Sequence, residues 1–100
     1  IAIADRRGLI HLLSQSDHSQ VSVLESHSDL VTDLCFVPSS RLLAAAYRSG
    51  VVRLWDTRQF KMIKEYRNDH SPVTAIQASA DARHVIAASL NGNVSIWKLP

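Results

Sequence analysis

A chain of 100 residues with 46% hydrophobic side chains has the composition of a globular protein, which argues against a disordered segment. The formal net charge of +2 is too small to indicate nucleic acid or an anionic membrane as the partner. No apolar run reaches the roughly 18 residues that cross a bilayer, so we expect no membrane insertion. A single cysteine, Cys35, excludes an internal disulfide and favours a reducing, intracellular compartment, either cytoplasmic or nuclear.

The first part of the chain predicts three short strands. Residues 1–4 and 9–13 are apolar and flank a polar turn that ends at Gly8. Residues 20–24 alternate apolar and polar side chains, which is typical of an exposed edge strand. A polar loop that contains His27 follows.

The rest of the chain predicts seven further strands separated by turn residues. The run 41–48 would be a helix by intrinsic propensity alone. We predict a strand there, because its counterparts at 1–4 and 84–88 are short, compatible with strands and bounded by the same turns. The alanines at the shared positions indicate a close approach of neighbouring sheets. The seven predicted strands are 31–37, 41–47, 51–55, 60–66, 73–78, 83–89 and 93–97.

The three glycines of the chain, Gly8, Gly50 and Gly92, are 42 residues apart both times. Glycine is favoured where the backbone needs a positive φ or a close approach, so this spacing indicates one tight turn made three times. Residues 31–56 superimpose on 73–98 at the same shift without a gap, and the chain holds about two and a third copies of one unit. The identical pairs are Val31/Val73, Thr32/Thr74, Arg41/Arg83, Ala45/Ala87, Ala46/Ala88, Gly50/Gly92, Val52/Val94 and Trp55/Trp97.

Each complete unit is predicted to contain four antiparallel strands, with an Asn-Gly type of hairpin turn between the second and third. Four strands in about 40–45 residues are typical of one blade of a β-propeller. We therefore expect an all-β fold, a partial β-propeller made of four-stranded antiparallel blades. Residues 1–24 would supply strands two to four of one blade, 25–67 a complete blade, and 68–100 a blade without its outer strand, all within one larger propeller domain.

The stretch 49–56, Ser-Gly-Val-Val-Arg-Leu-Trp-Asp, resembles the third-strand signature of the WD-repeat family. Residues 91–98 resemble a second copy, with lysine in place of the final aspartate, and 8–14 a third. Upstream, His27 and His70 resemble the Gly-His element of that family, although other residues replace its glycine. The resemblance covers essentially the whole chain.

The resemblance also implies a hydrogen-bonded set of His, Ser or Thr, Asp and Trp inside each blade. In the third unit the matching residues are His70, Ser89, Asn91 and Trp97. In the second unit they are His27, Tyr47, Ser49 and Trp55, followed by the signature residue Asp56. Since two of these replace the usual polar types, we expect weaker polar ties and more reliance on apolar packing in the second unit. Both histidines are interpreted as structural rather than metal-binding or catalytic.

The sequence predicts neither catalysis nor a cofactor. Ser16, Asp17 and His18 are the residue types of a hydrolase triad, but such triads form in space and not between chain neighbours. The histidines lack zinc-like spacing, and each glycine stands alone rather than in a phosphate-binding loop. We therefore expect a protein that is not an enzyme and holds no metal.

In a WD-like propeller the glycine turns and the loops between blades share one rim, where partner-binding residues are expected. The candidates are Arg6, Arg7, Asp29, Leu30, Arg48 and Leu90, a basic side with exposed apolar members that would suit an acidic or phosphorylated peptide. An ordinary solvated rim is the alternative. A second set, Arg41 and Arg83 with Arg58, lies on the opposite rim. The repeated Arg41/Arg83 pair fits a turn-closing contact as well as binding, and we favour the structural interpretation.

The leading hypothesis is a non-catalytic scaffold that binds other proteins or acidic peptides and the remaining blades of its own propeller. A propeller that binds nucleic acid through its arginines is the alternative, although both tryptophans are assigned to blade interiors and few aromatic side chains remain for base stacking. The chain begins at Ile1 rather than methionine, so we expect a piece of a longer protein. Its stop after a third strand at Pro100 fits either the end of a propeller or a truncation.

Overall fold

The structure is a computed structural model that describes residues 1–25, 29–67 and 71–100. The described residues form β-strands and no helix, which confirms the predicted all-β class. The ten strands are β1 Ala2–Ala4, β2 Leu9–Leu13, β3 Gln20–Glu25, β4 Val31–Phe36, β5 Leu42–Tyr47, β6 Val51–Asp56, β7 Lys61–Arg67, β8 Val73–Ala78, β9 His84–Ser89 and β10 Val94–Lys98.

The strands form three antiparallel sheets in which neighbours in the chain are neighbours in space. The first sheet contains β1 to β3, the second contains β4 to β7, and the third contains β8 to β10. Because each strand reverses direction, the turns lie at two opposite ends of the sheets. We call the end that carries Gly8, Gly50 and Gly92 the glycine rim, and the end with the β4–β5, β6–β7 and β8–β9 turns the opposite rim.

The alanine-rich segment of the second unit is the strand β5, as predicted, and not the helix that its propensity favours. It pairs with β4 on one side and β6 on the other. Ala44, Ala45 and Ala46 are completely buried. Ala44 and Ala46 belong to one apolar cluster, and Ala45 to another. Small side chains on both faces let two sheets pack closely against β5, and this tertiary burial outweighs the local helix preference.

Two apolar cores hold the sheets together, one on each face of the second sheet. Each buried aliphatic side chain contributes about 1.5–3 kcal/mol relative to an exposed one. The core toward the first sheet contains Ile10, Leu12, Leu24, Leu43, Ala45, Tyr47 and Trp55. The core toward the third sheet contains Val37, Ala44, Ala46, Val52, Leu54, Tyr66, Val73, Ile76, Ala78, Val85, Ala87 and Leu99.

The irregularities of the strands repeat with the same period as the sequence. The β4–β5 ladder shifts register between Val31 and Asp33, and the β8–β9 ladder shifts between Val73 and Ala75. Likewise, the β2–β3 and β6–β7 ladders each shift once near the end of the earlier strand. Bulges of this kind increase local twist, so the repeated unit specifies the twist of the sheet as well as its strands.

Candidate partner-binding rim

The three glycine turns have one backbone conformation, with φ between +84° and +93° at the glycine. In the first, the Asp5 N–H donates to the carbonyl of Leu9 (2.9 Å) and the Gly8 N–H donates to the carbonyl of Asp5 (3.2 Å). Only the glycine of each turn has a positive φ. The turns are therefore three-residue loops, a type I turn followed by a glycine bulge. The predicted Asn-Gly type of two-residue turn is wrong, because that turn requires a positive φ at both central residues.

Arginine side chains project from two of these turns. Arg6, Arg7 and Arg48 are all exposed. Arg7 folds back on its own turn, where its guanidinium lies 3.2 Å from the Asp5 carboxylate. By contrast, within the described parts of the chain the side chains of Arg6 and Arg48 contact no hydrogen-bonding or ionic partner. These two arginines are the cations that the rim leaves available.

Two leucines add apolar surface to the same rim. Leu90 occupies the position of Arg48 in the third sheet and is 71% exposed, and Leu30 is 38% exposed. The carbonyl of Leu30 accepts a hydrogen bond from the backbone N–H of Arg48 (2.9 Å), and the carbonyl of Pro72 accepts the equivalent bond from Leu90 (2.9 Å). These bonds fix the loops between sheets to the glycine turns.

Asp29 lies beneath the rim rather than on it. Its side chain is only 13% exposed, and its carboxylate lies 2.9 Å from the guanidinium of Arg53. The hydroxyl of Ser49 donates to the same carboxylate oxygen at 2.7 Å. Among the sequence candidates, Asp29 is therefore placed as a support for the turn, unlike its neighbour Leu30.

Arg53 is the centre of a polar network that the sequence analysis missed. Besides Asp29, its guanidinium contacts Glu65 on β7 (3.0 Å) and lies 4.4 Å from the centre of the Tyr47 ring. Burial by itself lowers the pKa of Arg53, but the hydrogen bonds to the two carboxylates outweigh it, and the pKa is raised. The side chain therefore stays charged while 15% exposed. An arginine in the middle of an apolar strand, Val51-Val52-Arg53-Leu54, was the available signal.

The second sheet has polar ties of its own, and that they are weaker than those of the third unit stays a prediction. The indole N–H of Trp55 donates to the Tyr47 hydroxyl at 3.2 Å inside the sheet. Tyr47 therefore occupies the place of the serine or threonine that the resemblance implies, and Ser49 bonds Asp29 instead. A tyrosine reaches farther than a serine, and its ring also supports Arg53. The predicted position of His27 lies outside the described residues.

The third sheet has a different arrangement around its tryptophan. Trp97 stacks on Tyr66 of the second sheet, with ring centres 5.2 Å apart and planes 19° from parallel. Ser89 is buried, and the side chain of Asn91 accepts the backbone N–H of Asn93 at 3.1 Å. The position predicted for His70 lies outside the described residues.

Asp56 closes the turn between β6 and β7 on the opposite rim. It is 2% exposed, and one oxygen accepts the backbone N–H groups of Arg58 (2.8 Å) and Gln59 (3.0 Å). Its other oxygen lies 2.8 Å from Nε of Arg41. The pKa of Asp56 is lowered, chiefly by the hydrogen bond from the Gln59 backbone N–H and then by those from Arg58 and Arg41. This supports the structural interpretation of Arg41, whereas the counterpart of Asp56 beside Arg83 is Lys98.

The first sheet carries a second unpredicted pair, Asp5 and His11. The Nε2 atom of His11 lies 2.8 Å from Asp5, and Nδ1 lies 2.9 Å from the side-chain oxygen of Gln20. The Asp5 carboxylate, and then Gln20, raise the pKa of His11, and His11 lowers that of Asp5. His11 is 42 residues before Arg53, so a cationic side chain stands at the same place in both sheets whenever the histidine is protonated.

The described residues contain no cluster of three or more His, Cys, Asp or Glu side chains that could hold a metal ion. Asp17 accepts the backbone N–H and the hydroxyl of Ser19, at 3.0 and 2.8 Å, and thus closes its own turn.

No helix in the part of the chain that the structure describes is long and apolar enough to cross a membrane.

Comparison with known proteins agrees with the geometry. The family model of the WD domain, G-beta repeat, matches residues 18–56 and 60–98. Each match begins just before the outer strand of one sheet and ends with the third strand of the next, so one sequence repeat links two sheets.

Among similar proteins, the human kinesin-like protein KIF21B is 35% identical over 72% of this chain, which spans 4% of that relative. The periodic tryptophan protein 2 homolog of Mus musculus is 32% identical over 77% of the chain, which spans 8% of it. The β-propeller domain of Cps50 (Swd1) from Myceliophteria thermophila superimposes with a TM-score of 0.82 at 21% identity, over 99% of this chain and 35% of that one. The predicted β-propeller architecture is thereby confirmed.

Proposed function

Because the chain belongs to the WD40 family of β-propeller repeat proteins, we propose that it is part of a non-catalytic scaffold. This scaffold binds other proteins or peptides through the loops of the glycine rim. The three sheets are successive blades of one larger propeller inside the cell, with residues 1–24, 25–67 and 68–100 as the units, and the remaining blades of the same propeller complete it. Rigid blades with loops at their ends provide the kind of frame on which binding residues are presented.

The observation that carries this proposal is the contrast between engaged and available side chains on one rim. Arg7 is held by the Asp5 carboxylate of its own turn, and Arg53 by the carboxylates of Asp29 and of Glu65 on the neighbouring strand. Arg6 and Arg48 are exposed and have no side-chain partner within the described residues, while Leu90 is 71% exposed. Two available guanidinium groups on the same rim as an exposed apolar side chain suit an acidic or phosphorylated peptide.

The test exchanges the charge of this rim. The double variant Arg6→Glu and Arg48→Glu in the full-length protein should lose partner proteins that the natural protein captures from cells, as compared by mass spectrometry. Neither side chain has a hydrogen-bonding or ionic partner among the residues that the structure describes, so the fold is expected to persist. Arg83→Glu, a charge reversal on the opposite rim, is the matched control and should keep the same partners. Unchanged capture by the double variant would contradict the proposal.

The available arginines also favour one alternative, a nucleic-acid partner bound through its phosphates. Trp55 is 6% exposed and Tyr66 covers one face of the Trp97 ring, so little tryptophan surface remains for base stacking. A nucleic-acid complex should weaken steeply as salt rises, because phosphate contacts release counterions. Capture that withstands moderate salt and nuclease treatment favours the protein or peptide partner.

A further inference from the structure

A groove of about 650 Å³ opens on the opposite rim, away from the glycine turns. Its walls come from the β4–β5 turn, the start of β5, the β6–β7 turn and β7, together with Pro100 after β10. Arg41 and Arg58 provide its charged side, and Leu42 and Ile63 its apolar side. We call it the Arg41–Arg58 groove.

The Arg41 guanidinium is fixed through its Nε atom by an ion pair. Its Nε atom lies 2.8 Å from the buried carboxylate of Asp56, yet its side chain is 54% exposed. Within the described ranges this guanidinium makes no other hydrogen bond or ion pair, so the edge formed by its two terminal nitrogens is available. A guanidinium fixed through Nε loses less side-chain entropy when a ligand binds the opposite edge.

Arg58 is positioned by the same carboxylate through its backbone. The Arg58 N–H donates to Asp56 Oδ1 at 2.8 Å, while its exposed side chain has no partner in the described part of the chain. Asp56 therefore holds both arginines at the mouth of one groove. Asp56 is 2% exposed and faces inward. Its single negative charge therefore balances only one of the two guanidinium charges.

A second groove opens on the same rim between the first and second sheets. It has a volume of about 530 Å³ and is lined by uncharged residues, including Val21, which lies 42 residues before Ile63. The Arg41–Arg58 groove instead has two guanidinium groups in its lining, and this concentration of positive charge points to an anionic ligand.

We propose that the Arg41–Arg58 groove binds a phosphorylated side chain of a partner peptide, with an apolar neighbour of that side chain packed against Ile63. A phosphate carries close to two negative charges and three acceptor oxygens, enough for two guanidinium groups. A carboxylate carries one charge and satisfies one guanidinium bidentately. Ile63 is 46% exposed and supplies the apolar contact. This site is separate from the glycine rim and does not depend on the function proposed for it.

The experiment measures fluorescence anisotropy of labelled seven-residue peptides with the full-length chain. The probe has a central phosphoserine followed by leucine, and the comparison peptides have serine or glutamate at the centre. The phosphopeptide should bind about tenfold more tightly than either comparison peptide, as expected when charge-assisted hydrogen bonds to two arginines are gained. Arg58→Gln should weaken phosphopeptide binding about tenfold without unfolding the protein, since its side chain has no described partner.

Two matched variants locate the site. Arg83→Gln removes an arginine from the same rim outside the groove and should leave the affinity within about twofold. Arg48→Glu, on the glycine rim, should leave it equally unchanged. Absence of phosphopeptide binding, equal binding of the serine or glutamate peptide, or equal weakening by Arg58→Gln and either control would overturn the proposal.

Discussion

Equivalent positions of the three sheets carry different polar residues, and these differences determine how each sheet is tied together. The position of Arg53 in the second sheet is His11 in the first and Ser95 in the third. Arg53 has a permanent charge and two carboxylate partners. His11 has one carboxylate partner and a charge that depends on pH. The repeat therefore conserves a site for polar contact rather than a particular set of residues.

We predict that the first sheet becomes less stable as the pH rises above the unfolded histidine pKa of about 6.5. The Asp5 carboxylate raises the pKa of His11 in the folded state. A raised histidine pKa stabilises the fold fully below the unfolded value of about 6.5, and this contribution is lost as the pH rises through the folded pKa. NMR should give a His11 midpoint above about 6.5.

The control for this prediction is His11→Gln, which keeps a hydrogen-bonding side chain but cannot titrate in this range. In thermal unfolding between about pH 6 and 9 its transition should vary less than that of the natural protein. A His11 midpoint at or below that of an unfolded histidine would contradict the role given to Asp5.

At the scale of single elements, two glycine turns of the same shape have different surroundings. Gly8 and Gly92 have φ of +84° and +90°. A methyl group on Gly8 would collide with the backbone carbonyl of Asp29, whereas a methyl group on Gly92 would meet none of the described residues within 4 Å. The first turn is thus pressed against the loop that leads into the next sheet, and the last described one faces open space.

This difference predicts unequal costs for the same substitution. Gly92→Ala should lower the free energy of unfolding by about 1–2 kcal/mol, the cost of a left-handed conformation for an L-residue. Gly8→Ala should cost more, because it adds a collision with backbone that must move together with Asp29. Chemical denaturation gives the free energy of unfolding of both variants. Equal losses would show that the loop around Asp29 can move at no cost to accommodate the added methyl group.

At the scale of the whole molecule, side chains rather than a backbone ladder join the inner strands of neighbouring sheets. The Thr32 hydroxyl donates to the carbonyl of Val73 at 2.5 Å, and Asp33 accepts the backbone N–H of Ile76 at 2.9 Å. Cys35 accepts a longer bond from Ala78 at 3.4 Å. Together with the shared apolar core, these bonds let each sheet depend on its neighbour, as in other repeat architectures.

Removing one of these hydrogen bonds should weaken the contact between the second and third sheets. Asp33→Ala leaves the N–H of Ile76 without its acceptor, and an unsatisfied buried donor costs about 1–3 kcal/mol. Hydrogen exchange of the Ile76 amide should accelerate together with other amides of β8.

The matched control is Thr74→Ala, since the Thr74 hydroxyl donates to the carbonyl of Ala88 within the third sheet (3.1 Å) and not to the second sheet. Its effect should be smaller and confined to that sheet. Equal effects of the two substitutions on β8 would argue against Asp33 as a link between sheets.

The predictable features were those that depend on short stretches of chain. Alternating and apolar runs bounded by turn residues gave the strands, and the spacing of Gly8, Gly50 and Gly92 gave the repeat. The intrinsic helix preference around Ala44–Ala46 was overruled only by comparison with the equivalent segments of the other repeats. Those segments are compatible with strands, because the same tertiary burial acts on every repeat. The type of the glycine turns was not predictable from the Asn-Gly pair, because that pair occurs in only one of the three.

By itself, then, the sequence determined the strands, their period and the repeated turns, since hydrophobic pattern and glycine conformation are local properties. Only the tertiary structure decided which polar residues meet. Arg53 finds Asp29 across 24 residues of chain, and Asp33 finds Ile76 across 43. The physical reason is that an ion pair or hydrogen bond needs its atoms within about 3 Å. Strand register and sheet packing set such distances, and no local pattern encodes them.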